Sequence, residues 1–289
     1  MRRGGAAYPA PVTVRRRLDA ELVRRGMVGS RRQAVEAIAA GRVLVGGSPA
    51  SGPTRMVGPD EAISVTGEGP RFVSRGGEKL VGALAQFHVP VTGRRALDAG
   101  ASTGGFTDCL LQAGAAHVVA VDVGRGQLAW SLREDPRVTV MERTNVRALE
   151  PSDIGGEVEL TVADLSFISL VTVAPALARC TADDGDFVLL VKPQFEAGKA
   201  RIGKGGIVRD PEVHRAVLRE VRDGLAAAGL FVTDIVCSPL RGADGNVEFL
   251  VHCDRSGPAL ADDRLDLVVP AAAPATEANA ESTDEEVTA

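Results

Sequence analysis

The chain has 289 residues, of which 45% are hydrophobic and 25% charged, with a net charge of −5. Those are the proportions of an ordinary globular protein, long enough for a small domain plus a medium one. No apolar run approaches the roughly 20 residues that span a bilayer, and no apolar segment follows Met1-Arg2-Arg3, so neither a membrane anchor nor a signal peptide is expected.

The charge is unevenly placed. Residues 1–60 carry eleven arginines against Asp19, Glu21, Glu36 and Asp60, a net of +7, whereas residues 256–289 carry eight acids and only Arg264, a net of −7. The basic end is where a polyanion would dock. Four cysteines (Cys109, Cys180, Cys237, Cys253) and four histidines are scattered without metal-ligand spacing. They predict no zinc site and no disulfide framework, only small buried side chains in a reducing cytoplasm.

In chain order, residues 1–13 read as a flexible extension. Residues 14–68 read as a compact small unit. Val14–Arg25 predicts a first helix with Leu18, Leu22 and Val23 on one side. A second helix opens at Ser30, where Ser30-Arg31-Arg32-Gln33 has the form of a capping box, and Gly41 ends it. Arg42-Val43-Leu44-Val45 followed by Gly46-Gly47 predicts a strand entering a tight turn. Arginines recur at Arg15, Arg16 and Arg17, at Arg24 and Arg25, at Arg31 and Arg32, and at Arg42. A single basic run is usually a solvated face, but several in so small a unit favour phosphate contact, since a guanidinium grips phosphate with two hydrogen bonds.

After a joint near Gly69-Pro70, strand and helix patterns alternate from about residue 71 to 255, which predicts an α/β fold with a parallel sheet. A helix is expected over Gly76–His88. The strand at residues 94–100 ends in Asp98 and Gly100, and Ala101-Ser102-Thr103-Gly104-Gly105-Phe106 then opens a helix. Glycines at such a turn let backbone approach a cofactor. The next strand, His117–Asp122, again ends in an acid, with Val123 after it, and a carboxylate there suits the hydroxyls of an adenosine ribose. The glycines do not meet the G-x-G-x-x-G spacing of dinucleotide sites. Asp98 at the turn disfavours a pyrophosphate and favours a sulfonium cofactor with a cationic amine, so S-adenosyl-L-methionine is the expected cofactor. Asn145, after the third strand, is either an adenine contact or a turn cap. Phe106 and Trp130 read as core residues rather than base-stacking ones.

Asp164 ends a further strand, and Phe187–Val191 delivers Lys192 and Pro193 to the same edge. A lysine ending an apolar run is costly unless paired or used. Asn246–His252 reads as a late strand that carries Glu248, and Lys79 sits at the start of the Gly76–His88 helix. Singly, Lys79 reads as a helix-face lysine and Glu248 as an edge residue; their joint occurrence with Asp164 and Lys192 lifts all four. In an open doubly wound sheet these residues converge at the carboxyl ends of the strands.

Two resemblances follow from these residues. Arg17-Leu18-Asp19-Ala20-Glu21-Leu22-Val23, Ser30-Arg31-Arg32-Gln33-Ala34 and Gly41-Arg42-Val43-Leu44-Val45 resemble the αL RNA-binding domain of small-subunit ribosomal proteins and several RNA-modifying enzymes. Ser-Arg-Gly-Gly-Glu-Lys-Leu at 74–80, Leu-Asp-Ala-Gly-Ala-Ser-Thr-Gly-Gly-Phe-Thr at 97–107 and Asp-Leu-Ser-Phe-Ile-Ser at 164–169 resemble the TlyA family, whose catalytic half is similar to the FtsJ-type ribose methyltransferases. Leu-Val-Lys-Pro-Gln-Phe-Glu at 190–196 and Gly-Asn-Val-Glu at 245–248 complete the likeness.

The resemblance implies a Rossmann-like class I methyltransferase sheet with a small N-terminal α+β RNA-binding domain. It also implies 2′-O-methylation of cytidine in ribosomal RNA and a Lys79, Asp164, Lys192, Glu248 tetrad. Lys192 would take the 2′-hydroxyl proton or stabilise the developing alkoxide, Lys79 would help hold that oxygen, Asp164 would orient Lys192, and Glu248 would fix Lys79 or the ribose. The expected layout is a linker at 69–75, a methyltransferase domain at 76–255 and a disordered acidic tail at 256–289. The partner is ribosomal RNA within ribosomal subunits, the small one and, on a resemblance of the arginine-bearing extension, the large one too. The protein is expected to be monomeric and cytoplasmic, with no metal and no membrane contact. The rival readings are another nucleotide-dependent Rossmann enzyme, a non-catalytic ribosome-assembly factor on a methyltransferase fold, and a pore-forming hemolysin.

Overall fold

The computed structural model describes residues 15–67, 70–242 and 244–272. The chain divides between Arg71 and Phe72 into two compact units.

In the first unit, β1 (Arg16–Arg17) leads into α1 (Leu18–Arg24) and α2 (Arg31–Ala39). Then come β2 (Val43–Val45), β3 (Ser48–Pro49), β4 (Met56–Val57) and β5 (Ile63–Val65). β1 pairs with β4, and β2 lies between β3 and β5. Leu18, Leu22, Ala34, Ile38, Val43 and Val57 fill the core. The first helix begins later than its pattern predicts. The N–H groups of Leu18 and Asp19 find carbonyls at Arg55 and Pro53, so helix starts there and the arginines before it stay extended. Ser30 caps α2 by accepting from the Gln33 N–H. The return bond of the capping box is shifted by one residue, with Gln33 Oε1 accepting from the Gly29 N–H.

The second unit opens with α3 (Gly76–Phe87), β6 (Arg95–Ala99), α4 (Gly105–Gln112) and β7 (His117–Val121). It continues with α5 (Trp130–Arg133), β8 (Val138–Met141), β9 (Val158–Ala163), α6 (Leu170–Cys180) and β10 (Thr181–Val191). It closes with α7 (Pro193–Glu196), α8 (Pro211–Ala227), β11 (Phe231–Cys237), β12 (Phe249–Asp254) and α9 (Asp262–Ala272). The seven strands lie in the order β11-β12-β10-β9-β6-β7-β8, with β12 antiparallel to both neighbours and the other neighbouring pairs parallel. The central strands are Val- and Leu-rich and buried on both faces, one packed with α6 and α8, the other with α3 and α4. The order in which successive strands are added reverses between β6 and β9, the switch point at which such sheets open a ligand crevice.

Two expectations change here. Phe72–Arg75 is not a free linker: Phe72 is buried in the core, so close to Gly77 that any Cβ there would strike its ring, and the Val73 N–H donates to Asp108. Nor is the segment after residue 256 structureless throughout. Asp262–Ala272 forms α9, with Leu265 and Val269 buried, while Asp262 and Asp266 pair with Arg219 of α8. Those acids, counted as a solvated tail, face a basic stripe on α8. The expected extension at 1–13 and the remainder of the tail, 273–289, lie outside the described residues.

Candidate active site

The switch point is lined by the turn after β6. Gly100 has φ +88, and a Cβ there would lie 2.7 Å from the Asp164 carbonyl oxygen. Only glycine lets the turn pass this close to the end of β9. Asp98, at the end of β6, is fully buried; its Oδ2 accepts from the Thr107 hydroxyl at 2.6 Å, and its Oδ1 is buried without a partner. Burial, with Asp164 and Asp122 nearby, pushes its carboxyl up to about 7. Asp122 accepts from the N–H groups of Ser102 and Gly124, at 2.8 and 2.6 Å. Ser102 and Thr103 are exposed, Gly104 and Gly105 are buried at the start of α4, and Val123 is 70% exposed. The Phe106 ring is in the core, so only its backbone N–H, in the first turn of α4, is available to a ligand. Asn145 Oδ1 accepts from the Arg147 N–H, the turn-cap arrangement. Trp130, expected in the core, is 73% exposed, because α5 is a single turn that buries only Leu132.

The four tetrad residues form two ion pairs. Lys79, on the inner face of the first turn of α3, lies 2.5 Å from Glu248 Oε2. Lys192, at the end of β10, lies 2.5 Å from Asp164 Oδ1 and donates to Ser166 Oγ at 3.0 Å. Both lysines and Glu248 are buried. Phe249 pairs with Val191 across the sheet, so Glu248 and Lys192 are the next residues on adjoining strands and the two pairs sit side by side.

Several contributors carried no signal in the periodicity of the sequence. Thr107 is inferable only by asking what satisfies a buried Asp98. Glu196 accepts from the Leu170 N–H at the start of α6, tying the segment after Lys192 to the loop that carries Asp164; burial pushes its carboxyl up. Phe167 is 90% exposed with φ +63, and its ring stands 5.0 Å from that of Phe195, which faces the Lys192 ammonium at 5.9 Å. A large exposed ring on strained backbone is unusual, and it lies beside the lysine.

In the first unit, two buried acids organise the arginines. Asp19 binds Arg17 and Arg31, and Glu21 binds Arg24 and Arg25. Their guanidinium groups hold both carboxyls down at about 2. Arg15 pairs with Glu61 and Arg32 with Glu36, while Arg16 and Arg42 are in the same small unit, Arg16 exposed and Arg42 partly buried. Arg17 and Arg31 remain 47% and 59% exposed, so they are held in place with an outer edge free.

The donor set fits S-adenosylmethionine. A buried, unpartnered carboxylate oxygen and two further acids at one crevice suit a ligand with two positive centres, and glycines admit its approach. Among the described residues no three His, Cys, Asp or Glu side chains gather as a metal site, and no helix is long and apolar enough to cross a membrane.

The fold and this site define a Rossmann-like methyltransferase joined to a small RNA-binding domain. The FtsJ-like methyltransferase family matches residues 72–255, and the S4 domain matches residues 16–63. The 16S/23S rRNA (cytidine-2′-O)-methyltransferase TlyA of Mycobacterium tuberculosis is 56% identical, over 82% of this chain and 89% of that one. Hemolysin A of Brachyspira hyodysenteriae is 38% identical over 82% and 98%. A solved Streptococcus thermophilus protein carrying a hemolysin name superposes with a TM-score of 0.71 at 41% identity, covering 90% of this chain and 96% of that one. The chain belongs to the TlyA family, with an FtsJ-like catalytic domain.

Proposed function

We propose that the protein methylates the 2′-oxygen of cytidine in ribosomal RNA, using S-adenosylmethionine, in the small subunit and in the large one as well. The observation that carries this is the side-by-side placement of the Lys192–Asp164 and Lys79–Glu248 pairs at the switch-point edge. A ribose 2′-hydroxyl is a poor nucleophile at neutral pH, so its proton must leave as the new bond forms.

Bound S-adenosylmethionine supplies an electrophilic methyl group on a positively charged sulfur. Asp98, through its free Oδ1, and Asp122, at the end of β7, hold its amine and ribose ends. Lys192, held by Asp164 and Ser166, either receives the proton as the neutral amine or, as the ammonium, stabilises the oxyanion while the proton passes to water. Lys79, fixed by Glu248, completes a two-point grip on the ribose oxygen. Neither lysine has slack: each is buried against a carboxylate, so the site is organised before substrate arrives. The exposed Phe167 ring offers a face on which a nucleobase can stack. RNA is the substrate because DNA lacks the 2′-hydroxyl, and a ribosomal substrate places the protein in the cytoplasm.

The test is transfer of labelled methyl to ribosomal subunits lacking the modification, comparing wild type with Lys192→Ala. Incorporation at a ribose 2′-oxygen that falls about 100-fold or more in the variant is expected. Subunit and cofactor binding without any incorporation by the wild type would overturn the assignment in favour of an assembly factor.

A further inference from the structure

The catalytic unit holds its cations in two distinct ways. Away from the active-site edge, arginines are engaged by acids: Arg94 by Asp186, Arg137 by Asp135, Arg179 by Glu150 and Arg255 by Asp183. On the loops that follow the carboxyl ends of the strands, Lys199, Lys204, Arg209 and Arg241 are all exposed, and none forms an ion pair with a described acid. Arg75 before α3 and Arg143 after β8 are exposed on the same edge, also without an ion pair to a described acid. The acids on the two loops are Asp210, which caps α8 through the Glu212 N–H, and the exposed Asp244. Arg147 is also exposed and without an acid partner, but its backbone lies beside Arg179, near the far end of α6.

The loop at 197–210 is also built rather than merely basic. It leaves the Lys192 segment and is held to the segment just before β12 that carries Asn246 and Glu248. The buried Asn246 accepts from the Val208 N–H at 3.0 Å and donates to the Gly206 carbonyl at 3.1 Å. Buried His214 meets the Val208 carbonyl at 3.1 Å, and burial lowers its pKa, keeping the ring neutral. The Gly203 N–H closes the loop on the Ile207 carbonyl. The polar groups that fix the loop are therefore inside; of its cations Arg201 pairs with Glu220 and Arg209 donates to the Lys204 carbonyl, while Lys199, Lys204 and Arg209 meet no described acid.

We propose that this rim, centred on Lys199, Lys204, Arg209 and Arg241, is a phosphate-binding surface of the catalytic unit, gripping the RNA backbone that flanks the target nucleotide. It is separate from the arginines of the small unit. It rests on the RNA-methylation reading for the identity of the strand, but not for the existence of the surface. Arg209 and Arg241 each donate one bond to a nearby backbone carbonyl, but none of the four has its charge balanced by a described acid, and a polyanion would take these exposed cations at little desolvation cost, releasing counterions.

The test is the salt dependence of subunit binding, measured by filter retention for wild type, the triple variant K199A/K204A/R209A, and R147A as a control of equal exposure off the rim. Loss of three phosphate contacts should make the slope of log affinity against log salt shallower by about 2 to 3, so that between 50 and 200 mM salt the wild type loses about 15- to 60-fold more affinity than the triple variant. S-adenosylmethionine affinity should be unchanged in all three. Equal slopes for wild type and triple variant would overturn the proposal, as would an equal effect from R147A. Methyl transfer is measured separately: a shallower slope in a protein whose wild type transfers no methyl supports the surface and refutes the enzyme.

Discussion

Asp98 offers the sharpest quantitative test of the site. A carboxyl whose ordinary value is 3.8 is raised to about 7, first by burial and then by the neighbouring acids, against the opposing bond from Thr107. In the unfolded chain the proton is lost near the ordinary value; in the folded, ligand-free protein it is kept for about three pH units more. Over that window the native state binds more protons than the unfolded one, so stability falls as pH rises and the loss is complete above about 7. Between about pH 5 and pH 8 the single group should cost roughly 2–3 kcal/mol, at ~1.4 kcal/mol per unit. Asp98→Asn keeps an acceptor for Thr107 and removes the titration. The stability difference between variant and wild type, from urea unfolding without cofactor, should therefore grow in the variant's favour by that amount from acid to alkali. The same substitution should weaken S-adenosylmethionine binding, because a carboxylate facing the ligand amine becomes a neutral amide. A stability difference that does not change with pH would refute the reasoning, whatever the activity.

Three further outcomes follow from named contacts. Lys79→Ala leaves Glu248 buried without its cation and should cost about 3–5 kcal/mol, whereas the double variant Lys79→Met/Glu248→Leu should recover most of that stability and still transfer no methyl. Unfolding midpoints alongside a methyl-transfer assay separate the two effects. Phe167→Ala removes a ring that is 90% exposed, so unfolding should move by less than about 0.5 kcal/mol; the KM for subunits should rise while cofactor affinity holds. Leu265→Ala should destabilise by about 2–4 kcal/mol if α9 packs on α8 as described. An unchanged unfolding midpoint would return that segment to the solvent.

Much of the site was legible because its chemistry needs residue types that are costly elsewhere. Lys192 at the end of an apolar strand, Asp98 beside a glycine turn and the arginines of the first unit each break a local rule, and in the fold Lys192 meets Asp164, Asp98 is buried beside Thr107 and Arg17 meets Asp19. Strand ends and glycines could be placed because hydrophobic runs and turn residues are local properties. Partnership is not local. Lys79 and Glu248 are separated by 169 positions, and only the packing of α3 on the sheet and the antiparallel register of β12 against β10 bring them together. Register also sets Glu248 beside Lys192, which no periodicity specifies.

The same limit explains the expectations that changed. Acids after residue 256 read as a solvated tail until α8 supplied the arginines they face. Trp130 read as core because size argues for burial, yet a one-turn helix has too little inner face to take it. The first helix began at Leu18 because distant carbonyls captured its opening N–H groups. What the sequence by itself determined was composition, local turn chemistry and the presence of unusual charges at strand ends. Which charge meets which, and which cations are left without a partner, was decided by tertiary structure, because Coulomb and hydrogen-bond energies depend on distances in space that chain order does not encode.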